Sequence, residues 1–140
     1  MPDFARYAPI ALAVLRIVVA LLFIEHGTQK LFGFPAMQMP GGGPPIGGSG
    51  LPPILLVAGI LEFVGALAIL VGFMTRPVAF VLAGEMAVAY WIGHAPLSFF
   101  PMQNFGEPAI LFCFVFLYLI FAGPGAFSID GRGEGEAGLR

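Results

Sequence analysis

The chain has 140 residues, of which 59% are hydrophobic and only 10% are charged, and its mean hydropathy is +0.94. An average soluble domain is about one-quarter charged, so this composition is typical of an integral membrane protein. The net charge of −2 does not indicate a nucleic-acid partner, and the single cysteine, Cys113, excludes an intrachain disulfide.

Four apolar segments predict an all-α membrane protein whose fold is a four-transmembrane-helix bundle. The predicted helices cover residues 8–32, 51–73, 77–94 and 107–123. Crossing the hydrocarbon core takes about 20 residues, so the shorter third and fourth segments require a locally thinner bilayer or longer neighbours. The first segment is interpreted as retained, because no small-residue cleavage site follows it. Residues 1–127 are predicted to form one domain, and residues 128–140 a flexible cytoplasmic tail.

Basic residues near the helix ends predict the orientation. With four spans, both termini lie on the same side as the short connection between the second and third helices. That side holds Arg6, Arg76, Arg132 and Arg140, whereas the other side holds only Lys30. Because basic residues concentrate on the cytoplasmic side, we expect a multi-pass protein of the inner (plasma) membrane with both termini in the cytoplasm.

Ionisable side chains inside the apolar segments are costly in lipid and therefore need partners. A rise of 1.5 Å per residue from the cytoplasmic ends places Arg16, Glu62 and Glu85 roughly 12–16 Å deep. We expect Arg16 to bind Glu85, Glu62 or both, since a carboxylate is the natural partner of a buried guanidinium. These three residues, together with Arg76, are interpreted as structural buried charges that fix the helix pairing.

A second polar layer is predicted beneath the outer membrane surface. Glu25, His26, His94 and Glu107 come out roughly 24–26 Å from the cytoplasmic ends. Lys30 shares a helix face with His26, and histidine can donate, accept or relay a proton near neutral pH. The candidates for ligand binding or proton transfer are Glu25, His26, Lys30, His94, Asn104 and Glu107, and no catalytic residue is assigned.

Three kinds of ligand are conceivable for this layer: a metal ion, a haem and a quinone. A metal site is not expected, because the Glu-x-x-His spacing of di-iron bundles is absent and the adjacent Glu25 and His26 point about 100° apart. Axial haem ligation by His26 and His94 has no further support in the sequence. A quinone head group fits better, because it needs one or two hydrogen-bond partners and aromatic walls. Two interpretations stay open for the nearby aromatics, walls of such a site or an interfacial belt: Tyr90, Trp91, Phe99, Phe100 and Phe105.

An ordered set of motifs along the chain resembles the DoxX family. The matching residues are Arg16, His26-Gly27-x-x-Lys30-Leu31-Phe32-Gly33, Glu62-x-x-Gly65, Gly72-x-x-Thr75-Arg76, His94, Asn104-x-Gly106-Glu107 and Gly123-x-Gly125-x-x-Ser128-x-Asp130. Many members have Asn-Gly-Gly-Glu ahead of the last helix, where this chain has Phe105 in place of the first glycine. The resemblance implies a small four-helix inner-membrane protein. Some relatives are subunits of a terminal quinol oxidase or a thiosulfate:quinone oxidoreductase, and others are linked to membrane thiol and oxidative-stress systems.

Three functions stay open at this point. The leading hypothesis is a quinone-linked redox or accessory subunit, in which His26 and His94 bind the quinone oxygens and Glu25 and Glu107 exchange protons with the outer face. The second is a small-molecule or proton-coupled carrier, and the third is a purely structural subunit of a membrane redox complex. The expected partners are the lipid bilayer and either a larger redox complex or a second copy of the chain. The sequence leaves open whether the chain is an enzyme by itself.

Overall fold

The computed structural model describes residues 4–36, 47–48 and 50–132, and within these residues it contains helices and no β-strand. The predicted all-α fold is therefore confirmed for this part of the chain. The helices are α1 (Ala8–Phe32), α2 (Pro53–Val71), α3 (Thr75–Ala89) and α4 (Glu107–Ala122), with a 3-10 turn at Phe4–Tyr7 before α1. A π-helical turn at Tyr90–His94 continues α3.

Local sequence explains where the helices begin and end. Proline occupies the first turn of α1, α2 and α4. Its missing N–H costs nothing there, because first-turn N–H groups have no acceptor within the helix. Gly33 and Gly72 end α1 and α2 in the left-handed conformation, with φ of 68° and 67°. The third helix differs most from its predicted range of 77–94, because regular α geometry ends at Ala89 and the π turn follows.

The four helices share one hydrophobic core. α1 packs chiefly against α2, and α3 packs chiefly against α4, while α2 also contacts α3. Each helix contributes a fully buried apolar side chain: Phe23, Ile69, Leu82 and Phe116. The rings of Phe23 and Phe116 meet edge to face, with 4.9 Å between their centroids. Polar groups on the inner helix faces are therefore brought close to one another.

Two of the helices meet the length and hydropathy of a membrane span. These are α2 and the continuous helical segment Phe4–Phe32, which includes α1. Only 28% of the most apolar window of Phe4–Phe32 and 22% of that of α2 is buried inside the protein, so most of their apolar surface faces outward. Lipid is the solvent that suits such a surface. α3 and α4 are shorter, and four spans therefore stay a prediction.

Two glycines allow α1 and α2 to approach closely. A Cβ atom on Gly27 would lie 2.6 Å from the backbone nitrogen of Phe63, a distance that no side chain tolerates. A Cβ atom on Gly59 would lie 3.0 Å from the Cβ of Lys30. Small residues permit this kind of backbone contact between membrane helices. The contact places the stem of Lys30 against α2, one turn away from Glu62.

The segment after α4 folds back over the ends of the other helices. The sequence predicts a flexible tail from residue 128, but Ser128 is buried and its hydroxyl donates to the Gly125 carbonyl at 3.0 Å. The Asp130 carboxylate accepts hydrogen bonds from the backbone N–H groups of Met74 and Thr75 at 2.9 and 2.8 Å. Residues 128–132 are thus part of the folded unit. The rest of the predicted tail, 133–140, lies outside the described residues, as does most of the first loop.

Candidate functional site

The structure corrects the predicted partner of Arg16. This side chain is fully buried, and its guanidinium donates five hydrogen bonds to backbone carbonyls and none to a carboxylate of the described residues. The acceptors are the carbonyl oxygens of Ile69 and Leu70 in the last turn of α2, and those of Pro124, Ala126 and Phe127 after α4. Carbonyls at a helix end have no partner within the helix, and the five-donor fork of arginine can satisfy several of them at once. Arg16 therefore ties α1 to α2 and to the returning chain.

Two further side chains complete this region, which we call the arginine end (Arg16, Arg76 and Asp130). Arg76 is exposed rather than buried, and its Nη1 donates to the Ile120 and Phe121 carbonyls at 2.6 and 2.8 Å, at the end of α4. Burial acts to raise the pKa of Asp130, but hydrogen bonds from Thr75 and Met74 and the charge of Arg16 outweigh it and hold this pKa below its usual range. A cleft of about 390 Å³ lies here, between the start of α1 and the end of α4.

Lys30 pairs with Glu62. Its Nζ lies 2.7 and 2.8 Å from the two carboxylate oxygens, with the side chains 18% and 3% exposed. The sequence places these residues in separate layers, Lys30 beside the histidines and Glu62 near the middle of the membrane. The depth count fails here because it follows Cα atoms, whereas a lysine side chain can extend several ångströms along a neighbouring helix. Lys30 therefore belongs to an α1–α2 ion pair.

Glu85 of α3 lies beside this ion pair. It is within electrostatic range of both Glu62 and Lys30. Both of its carboxyl oxygens are buried and have no hydrogen-bond partner among the described residues. The predicted bond from Arg16 to Glu85 is absent from these residues. Within the described part of the chain, Glu85 is thus an acid whose buried oxygens have no hydrogen-bonded counterpart.

His94 is the best-defined residue of the predicted outer layer. It closes the π turn, and its Nδ1 lies 2.9 Å from the Asn104 carbonyl oxygen. A carbonyl oxygen only accepts, so Nδ1 carries the proton and the Nε2 of the neutral ring is an acceptor. The ring of Tyr90 stacks on that of His94 with 6.5 Å between centroids and 20° between planes. π-helical turns occur frequently at functional sites.

Asn104 organises the loop that holds His94. Its side chain is fully buried, its Nδ2 donates to the Ser98 carbonyl, and its Oδ1 accepts from the Gly106 N–H, both at 2.8 Å. The side-chain amide is therefore occupied by the loop itself. The Asn104 carbonyl and side chain thus hold His94 and the loop in place, and the ligand-binding role predicted for Asn104 stays a prediction.

His26 lies in a different setting from His94. Its half-buried ring contacts Phe23 and Phe112, with centroid distances of 6.3 and 5.5 Å. Its ring nitrogens have no hydrogen-bond partner within the described part of the chain. No hydrogen bond or ring contact in that part joins it to His94. The two histidines therefore lie on different helical segments, α1 and the π turn after α3, in different surroundings.

The remaining predicted site residues lie at the surface. Glu25 is exposed on α1, and Glu107 is exposed in the first turn of α4, where a negative charge is favourable. Trp91, Phe99 and Phe105 are 70%, 87% and 67% exposed, which favours an interfacial aromatic belt over the walls of a pocket. Across residues 4–36, 47–48 and 50–132, no group of three or more His, Cys, Asp or Glu side chains is placed to hold a metal ion.

Comparison with known proteins identifies the family. The sequence model of the DoxX family matches residues 11–95. An uncharacterised protein of Haemophilus influenzae is 44% identical over 135 residues, which cover 94% of this chain and 97% of that protein. The Escherichia coli inner membrane proteins YqjF and YphA are 34% and 33% identical, over 86% and 93% of this chain and 90% and 95% of their own lengths. No solved structure matches significantly. The resemblance in the sequence is confirmed, and the chain belongs to the DoxX family of membrane proteins.

Proposed function

We propose that this chain is a quinone-linked redox protein of the inner membrane, acting as an accessory or quinone-site subunit beside a larger redox enzyme. The observation that carries the proposal is the hydrogen bond of 2.9 Å from His94 Nδ1 to the Asn104 carbonyl. It fixes the tautomer, so the Nε2 of the neutral ring is ready to accept the proton of a quinol hydroxyl. Protonated His94 can in turn donate to a quinone oxygen.

The surroundings of His94 suit a quinone head group. Tyr90 supplies a ring stacked on the histidine, and the neighbouring Trp91 and Ile92 are 70% and 62% exposed on a surface suited to lipid, where an apolar quinone tail would lie. The group itself, when bound, supplies two-electron, two-proton redox chemistry. His94 would hold the proton of one hydroxyl at Nε2. His26, whose ring nitrogens have no hydrogen-bond partner among the described residues, is the candidate for the other oxygen. The exposed Glu25 and Glu107 would exchange protons with the outer aqueous phase.

The membrane placement supports the same proposal. The two Escherichia coli relatives are named inner membrane proteins, and α1 and α2 are long and apolar enough to span a bilayer. We propose four spans because all four helices share one core. We place both termini in the cytoplasm because Arg6, Arg76 and Arg132 lie at that end. This arrangement puts His26 and His94 near the outer surface. A reporter that is active only in the cytoplasm, fused to the C-terminus, should be active.

The only tryptophan of the chain offers a direct binding assay. Trp91 lies three residues from His94, and quinones quench tryptophan fluorescence. A short-chain ubiquinone analogue added to the protein in lipid nanodiscs should quench Trp91 saturably. His94→Ala should weaken binding by about tenfold, the equivalent of one hydrogen bond of about 1.4 kcal/mol. His26→Ala tests the second oxygen. The control is Arg6→Gln, which changes an exposed residue before α1, outside the proposed site, and should leave binding unchanged.

Two results would oppose the proposal. Quenching that rises without saturation, and equally in the wild type and His94→Ala, would show only partition of the analogue into lipid. Co-purification with a redox enzyme whose activity survives substitution of both histidines would favour a purely structural subunit.

A further inference from the structure

The cluster formed by Lys30, Glu62 and Glu85 contains one cation and two acids. Lys30 comes from α1, Glu62 from α2 and Glu85 from α3, so each helix contributes one group. The ion pair between Lys30 and Glu62 is already neutral. An ionised Glu85 would add an uncompensated charge to a site surrounded by apolar helices, where a lone charge is very costly. The cluster is neutral when Lys30 carries its positive charge and one of the two acids is protonated.

The contacts locate that proton in the observed arrangement. Both oxygens of Glu62 accept hydrogen bonds from Lys30 Nζ, so Glu62 is the ionised acid. Both oxygens of Glu85 are buried and without a hydrogen-bond partner in the described part of the chain. A carboxylate left in that position would lose its hydration without compensation, whereas a neutral acid loses far less. The proton therefore belongs to Glu85.

We propose that Lys30, Glu62 and Glu85 form a proton-binding site in the interior of the protein, in which one proton exchanges between the two acids as Lys30 changes partner. When Lys30 pairs with Glu85, the O–H bond of Glu85 is broken and an O–H bond forms on Glu62. The net charge of the cluster stays zero in both arrangements, so the exchange avoids the cost of a lone buried charge.

The geometry of Lys30 is suited to this exchange. Its ammonium has three N–H donors on a flexible four-carbon stem, and the two hydrogen bonds that it makes to side chains of the described residues both go to Glu62. A purely structural ion pair needs only one acid, and the second acid adds a cost that packing does not explain. Among the described residues, no hydrogen bond or ion pair joins these three residues to His94, so the proposal does not require that His94 bind a quinone.

Infrared spectroscopy of the protein in lipid nanodiscs at pH 7 tests the protonated state. The wild type should show the carbonyl band of a buried, protonated carboxylic acid, which shifts in heavy water. The isosteric variant Glu85→Gln should lose this band. Glu107→Gln, which removes an exposed acid, should retain it as the matched control. A wild-type protein without such a band would overturn the proposal.

Two more variants test the exchange. In Glu62→Gln, Glu85 becomes the only acid available to Lys30 and should ionise, so the band should disappear although Glu85 is intact. In Lys30→Met, both acids should be protonated and the band should about double in intensity. Full retention of the band in Glu62→Gln would overturn the exchange. Solid-state NMR of the wild-type protein with labelled glutamate carboxyl carbons needs no variant. Exchange between the carboxyl signals of Glu62 and Glu85 supports the proposal, and two fixed signals from these residues contradict it.

Discussion

The two polar regions of this protein differ in how completely their hydrogen-bonding groups are satisfied. At the arginine end, Arg16 donates five hydrogen bonds, Arg76 donates two and Asp130 accepts two. The buried Thr75 hydroxyl is the exception there, since no described residue accepts from it in suitable geometry. The second region comprises His26, His94 and the cluster of Lys30, Glu62 and Glu85. There, the ring nitrogens of His26 and the two buried oxygens of Glu85 have no hydrogen-bond partner among the described residues.

This difference distinguishes a region that stabilises the fold from one that is suited to binding a ligand or a proton. A buried polar group without a partner lowers the free energy of unfolding, so it is uncommon in folded proteins unless a ligand, a proton or a reaction uses it. At the arginine end, the buried Arg16 guanidinium and the Asp130 carboxylate are already occupied by hydrogen bonds within the protein. The arginine end therefore stabilises the fold. We expect ligand binding and proton binding in the second region, at the histidines and at Glu85.

The largest effect is expected when the arginine end is broken at its centre. Arg16→Ala leaves five carbonyls without their donor in a fully buried site and should lower the free energy of unfolding by about 3–5 kcal/mol. Arg16→Lys should recover little of this loss, because lysine has three donors and no planar fork. Thermal or detergent-induced unfolding followed by circular dichroism measures both.

The control for this variant is Arg6→Ala. Arg6 is exposed and interacts only with the neighbouring Tyr7 among the described residues, so its loss should change stability by less than about 0.5 kcal/mol. Equal losses for Arg6 and Arg16 would contradict the structural role of the arginine end.

A second variant perturbs the contact that brings Lys30 to Glu62. Gly27→Ala would place a Cβ atom 2.6 Å from the Phe63 nitrogen, so α1 and α2 must move apart. The expected cost is about 1–3 kcal/mol, typical of overpacking at a tight contact. Because the Lys30–Glu62 pair lies one turn away, the infrared band of Glu85 should also change in intensity or position.

Gly84→Ala is the matched control on α3. A Cβ atom at this helical position meets nothing within 4 Å, so the variant should be neutral or more stable by up to about 1 kcal/mol. If Gly27→Ala and Gly84→Ala changed the free energy of unfolding equally, the close approach of α1 and α2 would not contribute to stability.

Much of the fold could be predicted from the sequence. Long apolar runs bounded by proline and glycine predict the helices, and Gly33 and Gly72 end α1 and α2 where left-handed φ is required. The π turn at Tyr90–His94 could not be predicted, because nothing in its composition distinguishes it from a last α turn.

The contacts of the candidate site were harder to predict than its members. Counting residues gives a depth along one helix, but it contains no information on tilt, side-chain reach or rotation about the axis. Lys30 therefore appeared far from Glu62, and Arg16 was expected to bind an acid although backbone carbonyls are also acceptors. The motif around Ser128 and Asp130 was present in the sequence, but its charged, glycine-rich setting favoured a flexible tail.

The smallest expected effect concerns Asp130, which accepts the Met74 and Thr75 N–H groups at the start of α3. Removing a helix-capping side chain costs about 1 kcal/mol, so Asp130→Ala should lower stability by that amount at neutral pH. The pKa of Asp130 is held below its usual range in the folded protein. Its contribution is therefore complete above the unfolded-state pKa of about 3.9 and is lost as the pH falls through the lower folded-state pKa.

Unfolding measured from pH 7 downward tests this sign. The difference in stability between the wild type and Asp130→Ala should stay constant above about pH 5 and shrink at more acidic pH, since protonation removes the same carboxylate that the variant lacks. Glu25→Ala is the control, because Glu25 is exposed in α1, away from its first turn, and no described residue hydrogen-bonds its carboxylate. A difference that grew on acidification would mean that the protonated form of Asp130 is the one that caps α3, and the ionised carboxylate would then have no stabilising role at the arginine end.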